Sequence, residues 1–209
     1  MTRIVVVRHG QTDWNVEMRI QGHGDSRLTG EGIAQAEAIA ARLAEEPCDQ
    51  LISSDLGRAH ETAKRIALRN GKPVVLDSRL RERAFGTGEG MSYAELDRAY
   101  PGSFLRTGAV DPDLCVPGGE SRRQFHARVC DAFEDLAMKY AGRRLIVVAH
   151  GGVLSSLYRH IKGIALESVH PIPIANASYN VLNHDGGAWS IETWSDTAHL
   201  DGAESFEEA

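Results

Sequence analysis

Two short apolar runs constrain this chain more than any other feature: Ile4-Val5-Val6-Val7 and Leu145-Ile146-Val147-Val148. Short runs rich in β-branched residues, bounded by polar residues and glycine, read as strands buried on both faces. Such strands belong to a parallel sheet covered by helices. Each run leads into a histidine followed by glycine, Arg8-His9-Gly10 after the first and Ala149-His150-Gly151-Gly152 after the second. Open α/β sheets bind ligands beyond the carboxyl ends of their strands. Two histidines placed there can face each other across one pocket, and the glycines let a ligand approach the backbone.

Around these runs strand patterns alternate with helical ones. Leu51-Ile52 starts a strand ending at Ser53-Ser54-Asp55, and Val74-Val75-Leu76 is another. Thr29 can cap a helix carrying Ile33, Ala36, Ile39, Ala40 and Leu43 on one face. A second helix runs through Ala59, Ala63, Ile66 and Ala67 and stops at Asn70-Gly71. Ser121 and Gln124 form a capping-box pair opening a third, with Phe125, Val129, Phe133 and Leu136 inward. A fourth spans Val153 to Ile161. Tyr179 to Leu182 and Trp189 to Thr193, split by Asp185-Gly186-Gly187, read as a hairpin. Residues 84–120 are rich in Gly and Pro and lack a clean period, which suggests an inserted lobe with a short helix near Tyr93 to Tyr100. The expected fold class is α/β: a three-layer α/β/α domain over residues 1–195 with a mostly parallel central sheet. The lobe would lie over the pocket, and a mobile acidic tail would cover 196–209.

A chain of 209 residues can bury a sizeable single core. Its net charge of -6 argues against nucleic acid or an anionic membrane as partner. An anionic substrate would need a local cluster of cations inside an acidic protein. The apolar N-terminal run is too short for a signal peptide or a membrane span. Cys48, Cys115 and Cys130 are odd in number and lack CxxC spacing, which fits a reducing compartment. The expectation is a cytoplasmic protein acting on a small molecule; the oligomeric state stays open, with a homodimer one option.

A lone His after a strand is ordinarily a hydrogen-bonded structural residue. Arg8 beside His9 changes that weighing, because two such groups at a buried strand end need an anionic partner. An Arg fork matches phosphate geometry, and a neutral imidazole is a competent nucleophile toward phosphorus. Arg58 sits just inside a predicted helix start, where free N–H groups favour an anion, although most helix arginines are simply solvated. Glu82, in Leu80-Arg81-Glu82-Arg83, suits a general acid and base. Its neighbours Arg81 and Arg83 would oppose the acid role if close, and alternating directions along a strand would keep them apart. Asn15, Gln21 and Gly22 could bind phosphate oxygens or serve as turn residues. A metal site at His9, His23 and His150 is the competing reading, but no metal-ligand spacing accompanies it.

Taken in order, these segments resemble the histidine phosphatase superfamily, the phosphoglycerate-mutase-like enzymes. Arg8-His9-Gly10-Gln11-Thr12 with Trp14-Asn15 is similar to its signature. Gln21-Gly22, Ser53-Ser54-Asp55-Leu56 with Arg58-Ala59, Glu82 with Phe85-Gly86, Gly118-Gly119-Glu120-Ser121 and Ala149-His150-Gly151-Gly152 continue it. The resemblance implies catalysis without a metal. His9 would be the phosphorylated nucleophile, and Arg8, Arg58 and His150 would clamp the phosphoryl oxygens. Asn15, Gln21, Gly22 and Gly151 would assist in binding, and Glu82 would act as acid and base.

The superfamily holds both phosphatases and mutases. Where mutases carry a Tyr, a Lys and paired lobe arginines for the substrate carboxylate, this chain has Phe85, then Ser92 or Tyr93, and no Arg-Arg pair in the lobe. Arg122-Arg123 comes after it. Phe85, Met91, Tyr93, Phe104, Leu105, Val110 and Leu114 suggest instead a larger or less acidic phosphomonoester. The expectation is a cofactor-free phosphatase of a small phosphorylated metabolite. The alternatives are a phosphoglycerate mutase, which would need 2,3-bisphosphoglycerate, and a catalytically silent phospho-ligand binding protein.

Overall fold

The computed structural model describes residues 1–103, 111–169 and 171–200. Six strands form one sheet: β1 (Thr2–Arg8), β2 (Gln50–Ser53), β3 (Val74–Leu76), β4 (Arg144–Ala149), β5 (Tyr179–Asp185) and β6 (Ala188–Asp196). Their spatial order is β3-β2-β4-β1-β5-β6. The pairs β3·β2, β2·β4 and β4·β1 are parallel, and β5 runs antiparallel to both β1 and β6. The two apolar runs are therefore neighbours at the centre. They pair Val6 with Val147 and Arg8 with Ala149. That register brings His9 and His150 out at the same level, and the His9 amide donates to the Ala149 carbonyl at 3.0 Å. The β5–β6 turn consists of Gly186 and Gly187, both at positive φ, as a tight two-residue hairpin requires.

Helices α2 (Gly30–Arg42) and α3 (Gly57–Asn70) cover one face of the sheet, and α5 (Arg122–Lys139) and α6 (Gly151–Lys162) cover the other. The short α1 (Asp13–Val16) follows β1, and α4 (Tyr93–Ala99) lies within residues 84–120. Thr29 caps α2, and Ser121 and Gln124 close the expected capping box on α5. Phe85, Leu96 and Val116 form a separate small core with Ile20, and Met91, Tyr93 and Tyr100 pack on it. Phe104, Leu105 and Val110 lie outside the described residues.

Several expectations need correction. Ile33 is 41% exposed; Gly32 takes its place on the inner face of α2, where its backbone packs against Gln11. The fourth helix starts at Gly151, directly after His150. The tail does not begin at 196. Asp196 ends β6 and pairs with Arg42 at 2.6 Å, His199 bonds the Ala177 carbonyl, and Leu200 is buried in the α2/α3 layer. Residues 201–209 lie outside the described residues. No helix among the described residues is long and apolar enough to cross a membrane.

Candidate active site

The parallel strands β1 and β4 deliver two histidine rings whose centroids are 5.3 Å apart. His9 Nδ1 lies 2.8 Å from the Gly10 carbonyl. A carbonyl only accepts, so this nitrogen carries the proton of the neutral ring and Nε2 is left bare. Burial, then the charges of Arg58 and Arg8, hold the imidazole well below its ordinary value. The ring is therefore neutral at physiological pH. His150 is depressed in the same way, by burial first and then by Arg58. Its Nε2 contacts the Ser54 hydroxyl at 2.8 Å. Its buried Nδ1 has no hydrogen-bond partner among the described residues.

Backbone carbonyls orient the two buried arginines. Arg8 Nη1 donates to the Ile174 carbonyl at 2.6 Å. Arg58, in the first turn of α3, donates from Nη1 to Gly24 and from Nη2 to Gly22, at 2.9 and 2.8 Å. That helix start has no side-chain cap.

Glu82 stands on an irregular segment, not on a strand, so the expected alternation does not separate it from its neighbours. Pairing directs them elsewhere. Arg81 makes a two-pronged ion pair with Asp55 at 2.7 and 2.5 Å. Arg83 donates to the carbonyls of Glu120, Ser103 and Leu114. The Glu82 carboxylate accepts from the backbone N–H groups of Arg83 and Gly152, at 2.8 and 2.9 Å. A side chain at position 152 would collide with that carboxylate. At Gly10 the reason for glycine differs from the expected one. A Cβ there would meet the backbone of Gly32, so the residue serves packing of the first loop against α2.

Arg8, His9, Arg58, Glu82 and Gly151 line one cavity of about 490 Å³, together with Gln21 and Gly22. Gln21 Oε1 is buried without a hydrogen-bond partner among the described residues. His150 and Asn15 are not on the cavity wall. His150 reaches the site through its contact with His9. The Asn15 amide oxygen closes the cap of α1 with Thr12 and meets the Asn176 amide.

Four residues of this region are not among the site residues the sequence suggests. Ser54 meets His150. Arg128 of α5 donates to the carbonyls of Arg79, Arg81 and Glu82 and pairs with Glu120, so it fastens the segment bearing Glu82. Arg122 and Arg159 line the cavity as well. His23 donates from Nε2 to the Glu82 carbonyl at 2.9 Å. Among the described residues, metal-competent atoms of three such side chains cluster at His126, Cys130 and His160, not at His9, His23 and His150.

Known proteins resemble this chain over nearly its whole length. Residues 4–197 match the histidine phosphatase superfamily (branch 1). Phosphoglycerate mutase-like protein 4 of Arabidopsis thaliana is 41% identical over 202 residues, 95% of this chain and 86% of the relative. A metal-independent phosphoserine phosphatase of Arabidopsis thaliana is 40% identical over 203 residues, covering 96% and 84%. The solved mycobacterial glucosyl-3-phosphoglycerate phosphatase with VO3 superposes with a TM-score of 0.81 at 33% identity, over 93% of this chain and 99% of that one. With a match running from inside β1 to just past β6, the chain belongs to the histidine phosphatase superfamily and is an enzyme of that type.

Proposed function

We propose that this protein is a metal-independent phosphatase of small phosphomonoesters that works through a phosphohistidine on His9. The carrying observation is the neutral, buried His9 ring with its proton committed to Gly10 and Nε2 bare. In the first step Nε2 attacks phosphorus and the ester P–O bond breaks. Protonated Glu82 gives its proton to the departing alkoxide oxygen. In the second step the Glu82 carboxylate takes a proton from water, the hydroxide attacks phosphorus and the P–N bond breaks. Inorganic phosphate and neutral His9 result. Arg8 and Arg58 stabilise charge on the transferring oxygens, and His150 joins them if Ser54 donates to its Nε2, leaving Nδ1–H for the phosphoryl group. Two relatives named as phosphatases support hydrolysis. A reducing, cytoplasmic setting suits Cys48, Cys115 and Cys130, which are free thiols.

The test is a brief incubation with a phosphomonoester, an alkaline quench and mass spectrometry, in enzyme stripped by chelation. Acid-labile phosphate on His9, and turnover lost in His9→Ala, are expected. Turnover that disappears with the metal would overturn the metal-independent reading. No hydrolysis of p-nitrophenyl phosphate would leave only a binding protein. One observation favours a mutase: the cavity holds an arginine from outside the lobe, Arg122, that could hold a substrate carboxylate. Supplying 3-phosphoglycerate with 2,3-bisphosphoglycerate separates the two, since a mutase returns 2-phosphoglycerate and little free phosphate.

A further inference from the structure

We propose that His126, Cys130 and His160 hold a zinc-class divalent ion that ties α5 to α6, at a site separate from the active one. None of the three lines the active cavity, and the inference does not depend on the phosphatase reading.

The two helices lie side by side over one core. Phe125, Val129 and Phe133 of α5 are buried in that core. His126 and Cys130 each follow one of these residues, so they share the flank of the buried face, four residues apart. His160 comes from the last turn of α6. His126 and Cys130 are half-buried, and His160 is exposed. One nitrogen of each ring and the sulfur all lie within 4.8 Å of one another.

A buried structural histidine ordinarily has its ring nitrogens satisfied. His126 does not. Its Nε2 lies 3.6 Å from the Cys130 sulfur, which is a weak hydrogen-bonding partner. Its buried Nδ1 has no hydrogen-bond partner among the described residues. The separation from Cys130 does fit a shared ion. Zn–S and Zn–N bonds of about 2.3 and 2.1 Å at a tetrahedral angle set those two ligand atoms about 3.6 Å apart. Two imidazole nitrogens on one ion stand about 3.4 Å apart. The ring centroids of His126 and His160 are 6.1 Å apart. The closure required is small, and the exposed His160 supplies it by turning its side chain.

The donor set selects the ion. A thiolate with two imidazoles suits zinc, cobalt or copper, whereas magnesium and calcium take oxygen ligands. Burial pushes the Cys130 thiol up to about 11, which makes it a poor free nucleophile. On binding, the S–H bond breaks, its proton passes to solvent and the sulfur electron pair goes to the ion. The thiolate offsets one of the two positive charges, which matters because Arg122, Arg123 and Arg159 are cationic neighbours of His126. Water takes the fourth position. Arg128, which fastens the Glu82 segment, stands two residues before Cys130, so an ion here would hold that anchor against α6.

The whole protein is stripped by chelation and titrated with zinc in a calorimeter, with cobalt as the spectroscopic probe. One equivalent of zinc should bind, and magnesium should not. Cobalt should give thiolate-to-metal charge-transfer absorption and the intense visible bands of four-coordination. The melting temperature should rise by roughly 5–10 °C at free zinc about 100 times its Kd. Cys130→Ser, and His160→Gln at an exposed position, should each weaken binding at least about 10-fold. Cys130→Ser should also abolish the charge-transfer band. Cobalt bound without that band, or zinc affinity unchanged in both variants, would put the ion elsewhere and overturn the proposal. A wild-type protein that binds no zinc would reduce the trio to a Cys–His contact and overturn it as well.

Discussion

The two ends of the cavity are built on different principles. At the histidine end His9, Arg8 and Arg58 leave strand ends or a helix start and are held by backbone carbonyls, while His150 meets the Ser54 hydroxyl. Gly10 orients His9, Ile174 orients Arg8, and Gly22 and Gly24 orient Arg58. At the other end Arg122 projects from the first turn of α5 with a buried nitrogen that no group of the described protein satisfies. The first end is organised in advance, as transition-state stabilisation requires.

The largest expected effect tests the boundary between the ends. Glu82 lies on the irregular segment held by Arg128, and the proposed mechanism makes it the acid and base. Glu82→Gln should lower turnover of alkyl phosphates by about 10²–10⁴ while leaving KM nearly unchanged. Esters with very good leaving groups should suffer least. Equal losses on both kinds of ester would move Glu82 to the binding side of the comparison.

Arg58→Met should come next. Removing one preorganised donor to the developing charge typically costs ~10²–10³ in rate. The loss should fall on kcat rather than KM. If Arg58→Met changes only KM, the two ends are not functionally distinct.

The smallest effect concerns stability. His9 and His150 are both held neutral in the folded protein, whereas an unfolded histidine takes up a proton near pH 6.5. Below that pH the unfolded state binds more protons. Stability is thus fully present above about pH 6.5 and falls on acidification, by up to about 1.4 kcal/mol per pH unit for each histidine. Urea unfolding between pH 7.5 and 5.5 should show a steeper loss for wild type than for His150→Asn. Parallel slopes would mean that the ring is protonated in the native state and that the histidine end is less dry than its burial implies.

The contrast between the ends also explains what could be read from the chain alone. β1, β4 and their histidines were legible because a four-residue apolar run ending in a polar residue has few other solutions. The shared level of His9 and His150 follows from the pairing register of β1 with β4, which joins residues far apart in the chain and is fixed only by the fold. Arg58 was legible as a helix start. Arg122 follows Gly-Gly-Glu-Ser and so lies outside the lobe, and position along the chain does not disclose that α5 opens onto the cavity. Gly10 and Gly32 touch each other's surroundings across the first loop, so the reason for glycine there lies in tertiary packing. Ile33 was lost to the same contact. The acidity of the chain from residue 196 predicts a mobile tail, whereas Leu200 and the Arg42–Asp196 pair tie its beginning to the α2/α3 layer.

One rod carries two duties. Arg122 and Arg128 both stand on α5, six residues or about 9 Å apart along its axis. Arg128 grips the carbonyls around Glu82. A small slide of that helix would therefore move Arg122 on the cavity wall and the carbonyls around Glu82 together. Under the proposed mechanism, rebuilding the first turn of α5 would also disturb proton delivery from Glu82.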